Sequence, residues 1–150
     1  MLRIVLMGLR YRNLEPNGYL ELQDHAFPLG CDDNTLDGTE LKRWGHLMIE
    51  AAERAERPIN LAPRFQEMME DAGFVDIVVE KKVWPTNPWA KDPELKLLGR
   101  WALAGFEDLH AISMALFTRS FGWSREKTTA FLARVRQSLR DRAIHAYWTV

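Results

Sequence analysis

Three stretches of this sequence carry the residue pattern of β-strands, and amphipathic helical stretches separate each from the next, which restricts the chain to a small sheet covered by helices. Residues 19–24 alternate apolar and polar side chains, the period of a strand with one buried face, and follow a Pro16-Asn17-Gly18 turn. Residues 74–83 are rich in valine and isoleucine, although Asp76 and Glu80-Lys81-Lys82 interrupt the apolar run. Residues 143–150 are aromatic and β-branched and form the third expected strand.

Helical spacing fills most of the remainder. Leu2, Val5, Leu6 and Leu9, with arginines at 3, 10 and 12, outline a helix over residues 2–13. Asp37 and Glu40 stand three apart and predict a capping box before a helix that carries Leu41, Trp44, Leu47, Met48, Ala51 and Ala52 and stops near Arg57-Pro58. Asn60 is expected to cap the next helix, which turns Leu61, Phe65, Met68, Met69 and Ala72 inward and ends at Gly73. Asp92 and Pro93 start a long helix through Leu95, Leu98, Ala102, Leu109, Ile112, Leu116 and Phe117, with Gly99 and Gly105 as bend points and Gly122 as its close. Ser124 caps a last helix with Phe131, Leu132, Val135 and Leu139 on one side and a solvated face of Arg134, Arg136, Arg140 and Arg142 on the other. Residues 25–38 read as loop, and residues 84–91 as a stiff prolyl loop whose Trp84 and Trp89 need a surface to pack on.

A chain of 150 residues makes one domain, 1–150. Folding at this size removes roughly 70% of the extended chain's surface from water. Twenty basic against twenty-one acidic residues leave a formal net charge of -1, so no global field favours nucleic acid or an anionic membrane. Cys31 is the single cysteine, and no Cys/His spacing fits a structural zinc site, so neither a disulfide nor a metal is expected. The apolar run at residues 1–9 lacks a cleavage site, and nothing reaches the roughly eighteen apolar residues of a membrane span, so a cytoplasmic location is expected.

Glu21-Leu22-Gln23-Asp24, Asp32-Asp33, Trp44, Ala62-Pro63-Arg64, Gly73-Phe74-Val75, Trp84-Pro85, Pro88-Trp89, Gly99-Arg100-Trp101 and Ile144-His145-Ala146-Tyr147 occur in an order and at separations that resemble the second half of the fungal LaeA-like methyltransferases. These are class I S-adenosylmethionine-dependent enzymes, and Pro16-Asn17-Gly18 stands where such enzymes usually carry Pro-Gly-Gly. The resemblance covers nearly the whole chain and rests on the order of the motifs, since none is specific alone. It implies an α/β fold: a three-layer fragment of the Rossmann-like methyltransferase architecture, with a small mixed sheet of three strands, the last antiparallel between the other two, and much helix.

The sequence departs from that family in one respect. The family holds its cofactor with a glycine-rich turn after the first strand and an acidic residue ending the second, whereas the nine glycines here form no Gly-x-Gly cluster after a strand. The expectation is therefore no S-adenosylmethionine binding by this chain alone, unless a complementary chain supplies the missing half. The strand at 19–24 then becomes an open edge, to be covered by homodimerisation, the preferred version, by docking on a complete methyltransferase, or by a rearrangement of the N-terminal helix across it.

Ligands of open α/β sheets bind beyond the carboxyl ends of the parallel strands. On that topology Asp24, His25, Trp84, Trp89 and His145 converge on one rim as a pocket for a hydrophobic metabolite, with Phe27 and Tyr147 as further walls. His25 and His145 are the candidate acid/base groups, and Asp24 the carboxylate that orients His25, because imidazole titrates near neutrality. The blander readings are an exposed loop histidine at 25 and a hydrogen-bonded structural one at 145. His110 is assigned to packing or an interface and His46 to solvent. Trp44 and Trp101 are expected to pack, and Cys31 beside Asp32 and Asp33 has its thiolate disfavoured by like charge. Three functions fit: a repurposed fold running a cofactor-free isomerisation or cyclisation, a non-catalytic subunit of a complete methyltransferase, and the C-terminal portion of an ordinary one.

Overall fold

The computed structural model describes residues 13–150. The helix expected over residues 2–13 falls, save its last residue, outside the described residues. Five α-helices follow one another along the described chain: α1 (Glu40–Arg54), α2 (Phe65–Ala72), α3 (Pro93–Gly105), α4 (Leu109–Phe121) and α5 (Arg125–Arg140). Three short strands, β1 (Ala26–Gly30), β2 (Val83–Pro85) and β3 (Tyr147–Thr149), form one sheet in the order β1-β3-β2.

β3 lies in the middle, as the resemblance implies. Ala26 faces Thr149 and Gly30 faces Tyr147 in one ladder, while Val83, Trp84 and Pro85 face Thr149, Trp148 and Tyr147 in the other. Both ladders are antiparallel, so β1 and β2 run the same way on either side of β3. Their carboxyl ends therefore meet where β3 begins.

The first strand sits at 26–30, not at 19–24. Alternation alone does not hold a strand; a neighbour must accept its ladder. β3 is three residues long, and the stretch that takes its edge also buries Leu29 and seats Phe27 on Trp148. Residues 19–24 keep the alternation but stay irregular, with Tyr19 95% exposed. The second strand shrinks for the same reason. Backbone bonds between Lys82 and Val150, at 2.7 and 2.9 Å, carry the pairing one residue beyond β2. Past that point β3 offers no partner, and Val75, Val78 and Val79 remain exposed.

Helix ends follow local chemistry. Asp92 accepts from the backbone N–H groups of Glu94 and Leu95, Ser124 accepts from that of Lys127, and α2 and α4 end on Gly73 and Gly122. The cap of α1 is Thr39, whose hydroxyl accepts from the Lys42 N–H at 3.1 Å, rather than Asp37. Asp37 instead pairs with the Lys42 ammonium. Asn60 caps nothing: Leu61 begins a short 3-10 turn, Ala62–Arg64, without a side-chain cap. The expected long helix breaks after Gly105 into a 3-10 turn, Phe106–Asp108, and Asp108 then caps α4 through the Ala111 N–H. Replacing Thr39 by alanine is expected to cost about 1 kcal/mol in chemical denaturation, the usual worth of an N-cap. Asp37→Ala, which removes only an exposed ion pair, should cost less than that.

Trp44 is the centre of the core. It is fully buried, touches the rings of Phe27, Phe106 and Trp148, and donates its indole N–H to the Ser113 hydroxyl at 2.9 Å. α1 thereby joins the sheet to α4, and Phe131, Leu132, Val135 and Leu139 of α5 close the same cluster. Trp101, expected to pack, is 70% exposed on α3. Its helix buries Gly99 against the 84–91 loop, which turns Trp101 outward. Among the described residues no helix is long and apolar enough to cross a membrane.

Candidate functional site

The chain from Cys31 to Thr35, directly after β1, wraps the start of β3. Asp33 organises this corner. One of its carboxylate oxygens accepts from Thr35 Oγ1 at 2.7 Å, from the Thr35 N–H at 3.2 Å and from Cys31 Sγ at 3.2 Å. The other meets His145 Nδ1 at 2.5 Å. Thr35 Oγ1 also accepts the backbone N–H of His145 at 2.8 Å. The imidazole and its carboxylate are thus held at both backbone and side chain.

Two residues on, Tyr147 donates its hydroxyl to Asp32 at 2.7 Å, and its ring lies so close over Gly30 that a β-carbon there would stand 2.4 Å from it. Trp89 completes the corner. Its indole N–H donates to the Ala146 carbonyl at 2.8 Å, and its ring tilts over that of His145 with centroids 5.0 Å apart.

This arrangement divides the expected rim in two. His145, Trp89 and Tyr147 come together at the carboxyl end of β1, joined by Asp32, Asp33 and Thr35. His25 and Asp24 precede β1 and lie at its other end, so they do not meet His145. Thr149, at that end, stands four positions along the chain from His145, about 13 Å at strand rise. The shift of the strand from 19–24 to 26–30 is the cause, because it moves the carboxyl end from Asp24 to Gly30. Asp24 does not orient the imidazole of His25 either. Its carboxylate accepts the His25 backbone N–H at 2.8 Å, while the ring stands edge-on to Trp84 and Trp148. Phe27 packs into the core against Trp44 and Trp148. Elsewhere, His110 lies between Arg136 and Thr129, and His46 is exposed.

Sequence reasoning missed Asp33 and Thr35 as site residues. The signal available was the Cys31-Asp32-Asp33-Asn34-Thr35 run itself, whose Asp-x-Thr spacing suits a carboxylate accepting from the hydroxyl and N–H two residues on. The bond to His145, together with those from Thr35, holds the Asp33 carboxyl far below the ordinary value of 3.8. Tyr147 moves the other way: donating to the Asp32 carboxylate, with some burial, raises its phenol above the ordinary value of 10.0.

A depressed carboxyl stabilises the fold above its unfolded value and loses that contribution as acid protonates the folded form. Asp33→Asn is therefore expected to lower stability at pH 7, and the gap from the parent should narrow as pH falls below 3.8. Urea denaturation at a series of pH values reads this directly. A gap that widens in acid is the contrary result.

A class I cofactor site needs backbone amides presented by an open glycine turn after a strand. The described glycines are spread through the fold: Gly18 lies against Glu15 in the first turn, Gly30 lies under Tyr147, Gly38 stands alone at positive φ in the turn before α1, Gly99 abuts Asn87, Gly45 and Gly105 are helical, and Gly73 and Gly122 end helices. The described residues contain no Gly-x-Gly pair in the chain that follows a strand. Nor do they contain a group of three or more His, Cys, Asp or Glu able to hold a metal ion.

No protein-family model matches the chain, and no solved structure matches it. Curated sequences do. It is 35% identical over 142 residues to the probable methyltransferase tdiE of Emericella nidulans, an alignment covering 93% of this chain and 45% of that protein. It is 34% identical over 139 residues to the secondary metabolism regulator laeA of Monascus pilosus, covering 91% of this chain and 38% of that one. The chain is a relative of the LaeA-like methyltransferases. The protein-methionine methyltransferase laeA of Emericella nidulans is 32% identical over 139 residues, covering 91% and 37%. This LaeA-like chain accordingly spans less than half the length of the curated relatives it matches. The Asp32-Asp33 pair and Ile144-His145-Ala146-Tyr147, two of the motifs on which the sequence resemblance rests, carry side chains that meet in the corner described above.

Proposed function

We propose that this chain is the acceptor-side portion of a LaeA-like methyltransferase, the C-terminal part of the fold, and that it works with a complementary portion that holds S-adenosylmethionine. The observation that carries this reading is the alignment: nine-tenths of the chain matches less than half of proteins named as methyltransferases or laeA regulators. Two structural facts support it. The sheet has the β1-β3-β2 order that the family's second half implies, and the outer edge of β1 carries no ladder among the described residues. An unpaired edge is a template for a further strand, and the complementary portion supplies one. The corner of Asp33, His145, Tyr147 and Trp89 then faces the acceptor. The cofactor-free isomerase or cyclase reading joined His25 to His145 in one acid/base pair, and the separation of those residues along the sheet gives it no support.

The test is a chimaera in which this chain replaces the matching 142-residue stretch of the tdiE relative. Calorimetry should show the chimaera binding S-adenosylmethionine within about tenfold of the intact relative, a difference of no more than about 1.4 kcal/mol. The isolated chain should give no saturable heat. Micromolar binding by the isolated chain, or a folded chimaera that has lost binding, overturns the reading.

A further inference from the structure

His145 is held more tightly than its position on an open rim requires. Four of the contacts at this corner converge on the Asp33 carboxylate, and the Thr35 hydroxyl that donates to it also accepts the His145 backbone N–H. A carboxylate can only accept, so the bond at Nδ1 places a proton on that nitrogen, and in the neutral imidazole the lone pair then stands on Nε2. Nε2 has no partner among the described residues, and the His145 side chain is 38% exposed. The Trp89 ring beside it is a flat wall whose own N–H is already committed to Ala146, and Tyr147 is committed to Asp32. Hence the corner offers one free acceptor nitrogen against an aromatic face, and its other polar side chains are already paired.

We propose that Asp33 and His145 form a proton-accepting site for an aromatic hydroxyl compound, with the ring against Trp89 and the hydroxyl donating to Nε2. This deepens the acceptor-side reading and rests on it for the reason a ligand arrives there. His145 is the group that touches the ligand, and Asp33 is a positioning residue that fixes the tautomer. The proton moves from the ligand oxygen to Nε2, leaving an oxygen nucleophile and an imidazolium whose charge faces the Asp33 carboxylate. A ligand presenting only a thioether has no proton to give and gains nothing from this arrangement.

Two measurements on the chain itself test the proposal, independently of the chimaera. Nitrogen-15 spectra of the histidine rings, recorded at a pH where the rings are neutral, should show His145 protonated at Nδ1 with Nε2 bare, and Asp33→Asn should lose that preference while circular dichroism stays unchanged. An Nε2-protonated ring in the parent overturns the proposal. Titration with 2-naphthol should shift the Nε2 resonance and bind at least about tenfold more tightly than 2-methoxynaphthalene. His145→Gln should remove the difference. Equal binding of the two probes, or saturable binding of neither, overturns the proposal while leaving the calorimetric result on the chimaera to stand or fall separately.

Discussion

Trp44→Ala is expected to lower the unfolding free energy by about 3–5 kcal/mol, the range for deleting a large aromatic from a packed core. In a chain of this length each kcal/mol moves Tm by about 2–4 °C, so thermal unfolding should shift down by roughly 6–20 °C. The physical reason is that Trp44 is a junction. Its ring meets Phe27 from β1, Trp148 from β3 and Phe106 from the turn between α3 and α4, and its N–H reaches Ser113 on α4. Removing it leaves a cavity shared by the sheet and three connected helical segments, which no single neighbour can collapse to fill. Trp44→Phe separates the two contributions: it keeps much of the apolar contact but strands the fully buried Ser113 hydroxyl, a cost of about 1–3 kcal/mol. Adding Ser113→Ala to that variant should recover part of the loss. A Trp44→Ala protein that unfolds within about 1 kcal/mol of the parent would show that this ring does not hold the sheet to the helices.

The same junction explains which parts of the fold were legible in the sequence. Trp44, Leu41, Met48, Ala51 and Ala52 share one face of α1 because their spacing repeats with the helix, and all five are buried. Asp92, Ser124, Gly73 and Gly122 were readable because a helix end is a local chemical event. The position of β1 was not. Residues 19–24 and 26–30 compete for one short edge, and the decision lies with Trp148 and Trp44, which reward Phe27 from far along the chain. The site shows the same contrast more sharply. His145 and Trp89 could be placed together from strand topology, but Asp33 is 112 positions from His145, and no local pattern announces that pairing. Thr39 took the cap of α1 from Asp37 for a purely geometric reason, because it stands immediately before the first helical residue.

Gly99→Ala is the second change expected to have a large effect, and it reaches the site from outside. A β-carbon at Gly99 would stand 2.2 Å from the Asn87 carbonyl oxygen and 2.6 Å from its carbon, both backbone atoms that no side-chain rotation can move aside. Asn87 is itself fixed: its amide donates to the carbonyls of Asp141 at 3.0 Å and Ile144 at 3.3 Å, and Thr86 bonds Ala146 through both N–H and hydroxyl. Either α3 retreats or the loop is driven toward the start of β3, and overpacking of this kind costs typically about 1–3 kcal/mol, more where backbone opposes backbone. Gly105→Ala, at the end of the same helix with nothing within 4 Å, should be neutral or stabilising by up to about 1 kcal/mol. The pair therefore isolates the contact from helix propensity, which favours alanine at both positions. Because Trp89 is two residues beyond Asn87 and reaches the same strand through Ala146, the Gly99 variant should also loosen the Trp89 ring from His145. Tryptophan fluorescence and the His145 ring resonances should move together in Gly99→Ala and stay still in Gly105→Ala. Movement of the stability without the resonances would mean that α3 yields and the prolyl loop holds, leaving the corner around His145 independent of the helix behind it.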